Sequence, residues 1–342
     1  MHPTEAIEAP SVLASASNRK ITLDDIKRPI EDDLRAFDGY FKSSMTSPHW
    51  LLTLVTKYVL RQKGKRIRPM LVLLAAKTCD ETNPSSHRAA ALVEMLHTAS
   101  LVHDDVVDEA DRRRDLFSIN ALWKNKVGVL LGDFLLSRGL LLSLTHKDYT
   151  QLHLLSDAVR RMSEGELLQL EKPRHLDIDE ETYYQIISDK TASLISACLA
   201  CGAASVTQDE TVIEQMKKIG ESLGMAFQIR DDLFDFGTDD VGKPIGIDLQ
   251  EKKMTLPLIY ALRAATAAER KKMLGIVRKK KKSEADVRTI SHFVHTRGGI
   301  HYARTQMLRF AEDARLMLLE FPDTAARAAM LDLVQYTVLR KK

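Results

Sequence analysis

The sequence predicts an all-α protein built as one large helical bundle, and three observations lead there. Glycine and proline number only 15 and 10 in 342 residues, while 44% of the residues are hydrophobic and can supply a large core. Segment after segment places apolar residues at three- and four-residue steps, with no sustained two-residue alternation. Several of these segments are apolar almost all round, as expected of helices enclosed by other helices.

In chain order, residues 1–20 are Ser/Ala-rich without an apolar stretch, so they read as a disordered lead and not as a secretory signal. Helical periodicity begins in "TLDDIKRPIEDDLRAFDGYFKSSM", whose first turn is acidic. "LLTLVTKYVL", "PMLVLLAAKTC" and "HRAAALVEMLHTASLVHDDVVDEA" continue it. "VGVLLGDFLLSRGLLLSLT" is the most apolar run, but Asp133 and Arg138 interrupt it and argue against a bilayer-crossing helix. "LHLLSDAVRRMSEGELLQLE", "ETYYQIISDKTASLISACLACGAAS", "VIEQMKKIGESLGMAFQIRDDLFDF", "TLPLIYALRAAT" and "IHYARTQMLRFAEDARLMLLEF" complete the set. No Pro/Gly/Ser-rich linker follows residue 20, so residues 21–342 are expected to form a single domain.

Charge and cysteine content narrow the function classes. Lys and Arg total 50 against 47 Asp and Glu, a net charge of +3, which gives no reason to expect a nucleic-acid-binding face. The basic run from Arg278 to Lys282 reads as a solvated helix end, with a peripheral contact to an anionic membrane as the alternative. Three cysteines, Cys79, Cys198 and Cys201, are an odd number without a disulfide framework and point to a reducing, cytoplasmic setting. Cys198 and Cys201 form a C-x-x-C inside "LISACLACGAASV" with no second ligand pair, so core thiols are expected.

Against that apolar background, "LVHDDVVDEADRRRD" is anomalous. Asp104 and Asp108 fall one helical turn apart on one face, where like charges repel, and a lone pair of this kind is ordinarily a solvated edge. The spacing recurs in "QIRDDLFD" as Asp231, Asp232 and Asp235, again at the end of an apolar helix. Two such helices facing each other across a cavity would offer hard oxygen ligands suited to Mg²⁺, which takes one or two carboxylates together with phosphate oxygens. The cations agree: Lys65 and Arg68 in "KGKRIRP", Arg112 to Arg114 after the first motif, and Lys243, Lys252 and Lys253 after the second.

Taken in order from about residue 60 to 260, "GKRIRP", "EMLHTASLVHDDVVDEADRRR", "GDFLL", "KTA", "FQIRDDLFD" and "GKPIGIDLQEKKMTLPL" resemble the signatures of the trans-isoprenyl diphosphate synthases, or polyprenyl synthetases. The resemblance implies the isoprenoid-synthase bundle around a deep central cavity, a homodimer, and condensation of isopentenyl diphosphate with an allylic diphosphate such as geranyl or farnesyl diphosphate. It implies a cluster of about three Mg²⁺ ions on Asp104, Asp108 and Asp231, with Asp105, Asp232 and Asp235 in support. Lys65, Arg68, His97 and Arg114 would hold isopentenyl diphosphate; Arg113, Lys190, Lys243 and Lys253 would hold the allylic diphosphate; Thr191 and Gln228 would line the reacting carbons. Asp115 departs from the family, which commonly has glycine there. His103 and the glycines of "IGESLG" carry no transferred role and read as packing residues.

Ala99 and Ser100, the two residues one turn before Asp104, should face the cavity floor. Short-chain members of the family place aromatic residues there. Two small residues therefore predict a deeper channel and an all-trans product of about six to ten isoprene units. A short-chain synthase, a class I terpene cyclase and a non-catalytic partner subunit are the competing readings. The second aspartate motif disfavours the cyclase, and the retained acidic and basic residues disfavour the silent subunit.

Overall fold

The computed structural model describes residues 21–61, 64–113, 116–171, 179–237 and 246–340, and the lead at residues 1–20 lies outside them. Helix α1 (Leu23–Lys27) is opened by a capping box between Thr22 and Asp25, and a 3₁₀ turn (Arg28–Ile30) leads to α2 (Glu31–Ser44), whose first turn carries three carboxylates. After α3 (Trp50–Arg61) and α4 (Ile67–Cys79) comes the long α5 (Pro84–Val107). Asn83 caps it by accepting from the Ser85 and Ser86 amides, and Pro84 occupies the first turn, where its missing N–H is not needed.

The turn after α5 is closed by a small ribbon, Arg112–Arg113 against Leu116–Phe117, too short to announce itself by alternation. Ser118 caps α6 (Ile119–His146), which is kinked where Lys124 takes φ 69°. Then follow α7 (Tyr149–Glu171), α8 (Glu180–Ile187), a π-helical turn (Ser188–Ala192) and α9 (Ser193–Ala204). The carboxyl half contains α10 (Glu210–Phe234), α11 (Ile247–Gln250), α12 (Leu256–Arg263), α13 (Ala267–Val277), α14 (Glu284–Thr296), α15 (Gly299–Leu319) and α16 (Ala325–Leu339).

The core is organised on α9, which is buried along nearly its whole length and packs against α4, α7 and α10. Glycines make these approaches possible. A methyl group at Gly224 would lie 2.5 Å from Ala192 Cα, one at Gly220 would lie 2.6 Å from Ser196 Cα, and one at Gly202 would collide with the Val72 carbonyl. The "IGESLG" glycines are therefore packing residues, as read from sequence. Cys198 and Cys201 are fully buried, and burial pushes the Cys198 thiol up to about 12, so they are inert core thiols.

Two helical stretches, Ile119–His146 and Glu180–Ala204, are long and apolar enough to cross a membrane by length and composition. The second is mostly interior. The first turns Gly128, Gly132 and Gly139 toward α5, the His103 ring fills the space over Gly132, and Arg138 donates to the Ser44 carbonyl. Of the basic run, Arg278 to Lys281 are exposed; Lys282 is not. It is 7% exposed and exchanges backbone hydrogen bonds with the Gln250 amide, so the reading of a wholly solvated run is corrected at that residue.

Candidate active site

Helix α5 delivers the first motif at its C-terminal end. Asp104 and Asp108 are exposed, and the Asp108 amide donates to the Asp104 carbonyl at 2.8 Å as the helix closes. Asp105 differs: it is 3% exposed and lines a separate space of about 90 Å³ between α2, α3 and α5, together with Phe37, Arg66 and Glu94. Successive helical residues are about 100° apart, so the middle carboxylate leaves the face of its neighbours.

Asp104 lines a cavity of about 310 Å³ that gathers residues from distant parts of the chain. Lys65 and Arg68 come from the start of α4, His97 and Ser100 from α5, Lys190 and Thr191 from the π turn, Phe227 from α10, and Tyr336, Thr337 and Arg340 from the end of α16. Leu71, Leu194, Leu223 and Leu333 make the rest of its wall apolar. A second cavity of about 230 Å³ shares His97, Ser100, Asp104, Met162 and Lys190 with the first and continues past Ala99 to Leu96, Leu136 and Val159. Ala99 thus lines the second space, and Ser100 lines both.

The π turn explains how Lys190 and Thr191 reach this wall. A wide turn inserted between α8 and α9 rotates the side chains it carries, and such bulges recur at functional sites. It is held on both sides by glycines: a methyl at Gly165 of α7 would lie 2.9 Å from Asp189 Cβ, and Gly224 faces Ala192. Arg161 fastens it, donating to Asp189 at 2.8 Å, Ser188 at 2.7 Å and Glu221 at 3.0 Å. Lys190 Nζ pairs with Glu166 at 2.7 Å and donates to Gln169 at 3.2 Å.

At the second motif the three carboxylates separate into three environments. Asp231 is partly exposed and pairs with the Arg340 guanidinium at 2.5 Å, which lies 4.1 Å over the Phe227 ring. Asp232 is buried, accepting from Tyr183 Oη at 2.7 Å and Gln228 Nε2 at 2.9 Å, while burial pushes its carboxyl up to about 7. Asp235 is also buried, and its Oδ1 accepts from the Asp248 amide at 3.1 Å, anchoring the start of α11; burial raises its carboxyl too. Lys253 pairs with Asp248 at 3.3 Å and Glu251 at 2.7 Å, outside the cavity linings.

The fold therefore brings together Lys65, Arg68, His97, Ser100, Asp104, Lys190 and Thr191 around one cavity. Gln228 stands behind Thr191, accepting from its hydroxyl at 2.8 Å, and is not part of the cavity wall. The Arg113 side chain and all of Arg114, Asp115 and Lys243 lie outside the described residues. Reading the sequence missed Glu166, Tyr183, Tyr336 and Arg340. Only the basic end "LRKK" on an apolar helix could have drawn attention to Arg340.

The donors suit a hard divalent cation. Asp104 and Asp108 are exposed carboxylates one turn apart, and the guanidinium on Asp231 marks a position that already attracts positive charge. Among the described residues no three His, Cys, Asp or Glu side chains converge on one point, so oxygens from a bound diphosphate would have to complete the coordination.

The sequence profile of the polyprenyl synthetase family matches residues 49–294. The chain is 35% identical over 319 residues, 92% of its length and 97% of the relative's, to the all-trans-nonaprenyl-diphosphate synthase (geranyl-diphosphate specific) of Rhodobacter capsulatus. It is 33% identical to the octaprenyl diphosphate synthase of Escherichia coli (strain K12), over 94% of this chain and 100% of that one. The crystal structure of a decaprenyl diphosphate synthase from Rhodobacter capsulatus matches with a TM-score of 0.87 at 34% identity, covering 94% of this chain and 100% of that one. With the aspartate helices, the basic entrance and the apolar interior already in place, these likenesses make the chain a member of the polyprenyl synthetase family, a prenyltransferase of the medium- to long-chain trans-isoprenyl diphosphate synthase type.

Proposed function

We propose that the protein condenses isopentenyl diphosphate with geranyl or farnesyl diphosphate and repeats the step to an all-trans chain of about six to ten isoprene units. The observation that carries this is the junction of a charged entrance, with Asp104, Lys65, Arg68 and Lys190, to an apolar cavity that continues past Ala99. Lys65, Arg68 and His97 hold isopentenyl diphosphate, and Arg114 belongs with them. Lys190, freed from Glu166, binds the allylic diphosphate with Arg113, Lys243 and Lys253. Asp104, Asp108 and Asp231, with Asp235 in support, would hold a cluster of about three Mg²⁺ ions, which when bound would supply positive charge to the diphosphate. Thr191 faces the reacting carbons, and the leucine wall keeps water from the allylic cation. The new carbon–carbon bond forms as the isopentenyl double bond attacks, and the released diphosphate accepts the proton, so no protein base is needed. Incorporation of labelled isopentenyl diphosphate into an extractable product tests this; Mg²⁺-dependent incorporation supports it, and none in the presence of Mg²⁺ and either primer contradicts it.

Arg340 gives a prediction of its own. Its pairing with Asp231 competes with a metal at that carboxylate. A partly exposed pair of this kind contributes about 1 kcal/mol, so Arg340→Met should tighten Mg²⁺ binding in the presence of pyrophosphate by roughly fivefold. Calorimetry checks it, and a weakened affinity would mean that Arg340 serves the diphosphate instead.

The assembly we propose is a homodimer, formed through α6. Val129 (42% exposed), Leu130 (56%), Leu141 (56%) and Leu144 (50%) are exposed on α6, whose glycines pack against α5, and an exposed apolar surface of this kind suits a second copy of the chain. Analytical ultracentrifugation should give twice the chain mass; a monomer at micromolar concentration would contradict it. Residues 21–342 then act as a single catalytic domain, working in the cytoplasm.

A further inference from the structure

Resting on the condensation reading above, we propose that Tyr183 is a positioning residue for the reaction, acting through Asp232 and Gln228 on the hydroxyl of Thr191. Four side chains from three elements form one hydrogen-bonded chain. Tyr183, on α8 and 4% exposed, donates to Asp232 Oδ2 at 2.7 Å. Gln228 Nε2, one turn back along α10, donates to Asp232 Oδ1 at 2.9 Å. Thr191 Oγ1, on the π turn, donates to Gln228 Oε1 at 2.8 Å. Of the four, only Thr191 reaches the wall of the cavity that also holds Asp104 and Lys190.

The order of donors and acceptors is dictated from the buried end. In the structure each Asp232 oxygen is met by a donor, Oδ2 by the Tyr183 hydroxyl and Oδ1 by the Gln228 amide nitrogen. Gln228 must therefore turn its NH₂ to Asp232 and its carbonyl oxygen to Thr191. The single hydroxyl hydrogen of Thr191 is then committed to that oxygen, and what Thr191 shows the cavity is lone pairs alone. An oxygen fixed in this way points the negative end of its dipole at substrate carbon that becomes positive when the allylic diphosphate leaves, with no reorientation needed at that moment. Burial raises the Tyr183 hydroxyl well above its ordinary pKa, so it remains a donor. Asp232 thus belongs to this chain and is turned from the face that carries Asp231.

Tyr183→Phe removes one oxygen and keeps the ring. It should lower kcat by roughly 10- to 100-fold while KM for both diphosphates moves less than about twofold and the melting temperature stays close to that of the unaltered protein. In a double-mutant cycle Tyr183→Phe should add little to Thr191→Val, because both break the same chain, and Thr191→Ser, which keeps the hydroxyl, should lose less activity than Thr191→Val. Asp232→Asn serves if Tyr183→Phe does not fold: an amide there can donate, lets Gln228 reverse, and should give the same fall in kcat. Unchanged kcat in the folded variant, or losses that simply add in the cycle, would overturn the proposal. Failure of the unaltered protein to condense the two diphosphates would instead overturn the functional reading on which it rests.

Discussion

Asp104→Ala lowers kcat by about a thousandfold or more, the loss expected when a principal ligand for the charge on a leaving diphosphate is removed. Asp104 is the one carboxylate of the first motif that lines both connected cavities, so no neighbour stands ready to replace it. Asp108 shares its face one turn on and should give a comparable loss. Asp105→Asn is the informative contrast. Its side chain is buried in the other direction, beside Arg66 and Glu94, and its replacement should show first in thermal stability, with kcat falling much less. Steady-state kinetics and melting curves on the three variants check this. Equal losses at all three would place Asp105 in the metal cluster after all.

Ala99→Phe should shorten the products to roughly three or four isoprene units while the first condensation proceeds near its original rate. Ala99 is five residues before Asp104, roughly 7.5 Å down the α5 axis at the helical rise. Its methyl lies on the wall of the deeper cavity, where Leu96, Leu136 and Val159 still lie beyond it. A phenyl ring there would fill the way down. Because the diphosphates bind above, their KM values should change little. Product chromatography decides the matter: an unchanged length distribution would move the floor to some other residue, with Leu136 and Val159 the first to be examined.

Much of this was legible in the residues because helices announce themselves. Apolar steps of three and four located the helices from α1 to α10, α12 and α15 but not α13, α14 or α16, and the repeated aspartate spacing located both ends of the site. What spacing conveys is membership of a helical face, and its limits follow from that. Asp104 and Asp105 are adjacent in sequence yet serve different cavities, and Asp231, Asp232 and Asp235 meet a guanidinium, a tyrosine and a helix N-terminus respectively. Gln228 was expected from the resemblance at the reacting carbons; it lies on α10 outside the cavity lining and accepts from the hydroxyl of Thr191, which the π turn packed against α10 presents to it.

The residues that escaped attention are those whose meaning is entirely tertiary. Arg340 follows the last helix and reaches Asp231 only because α16 packs beside α10. Glu166 looks like one more acid on an amphipathic helix until the Gly165 contact brings the π turn, and with it Lys190, against α7. Tyr183 carries no local signal that separates it from Tyr184 next to it, yet one reaches Asp232 and the other packs on the Phe310 ring.

The most direct test is to incubate the purified protein with Mg²⁺, isopentenyl diphosphate and either geranyl or farnesyl diphosphate, then resolve the dephosphorylated products by length. The account predicts a ladder that ends near about six to ten isoprene units, the reach of a cavity left open at Ala99 and Ser100. A ladder that stops at about three or four units would contradict it.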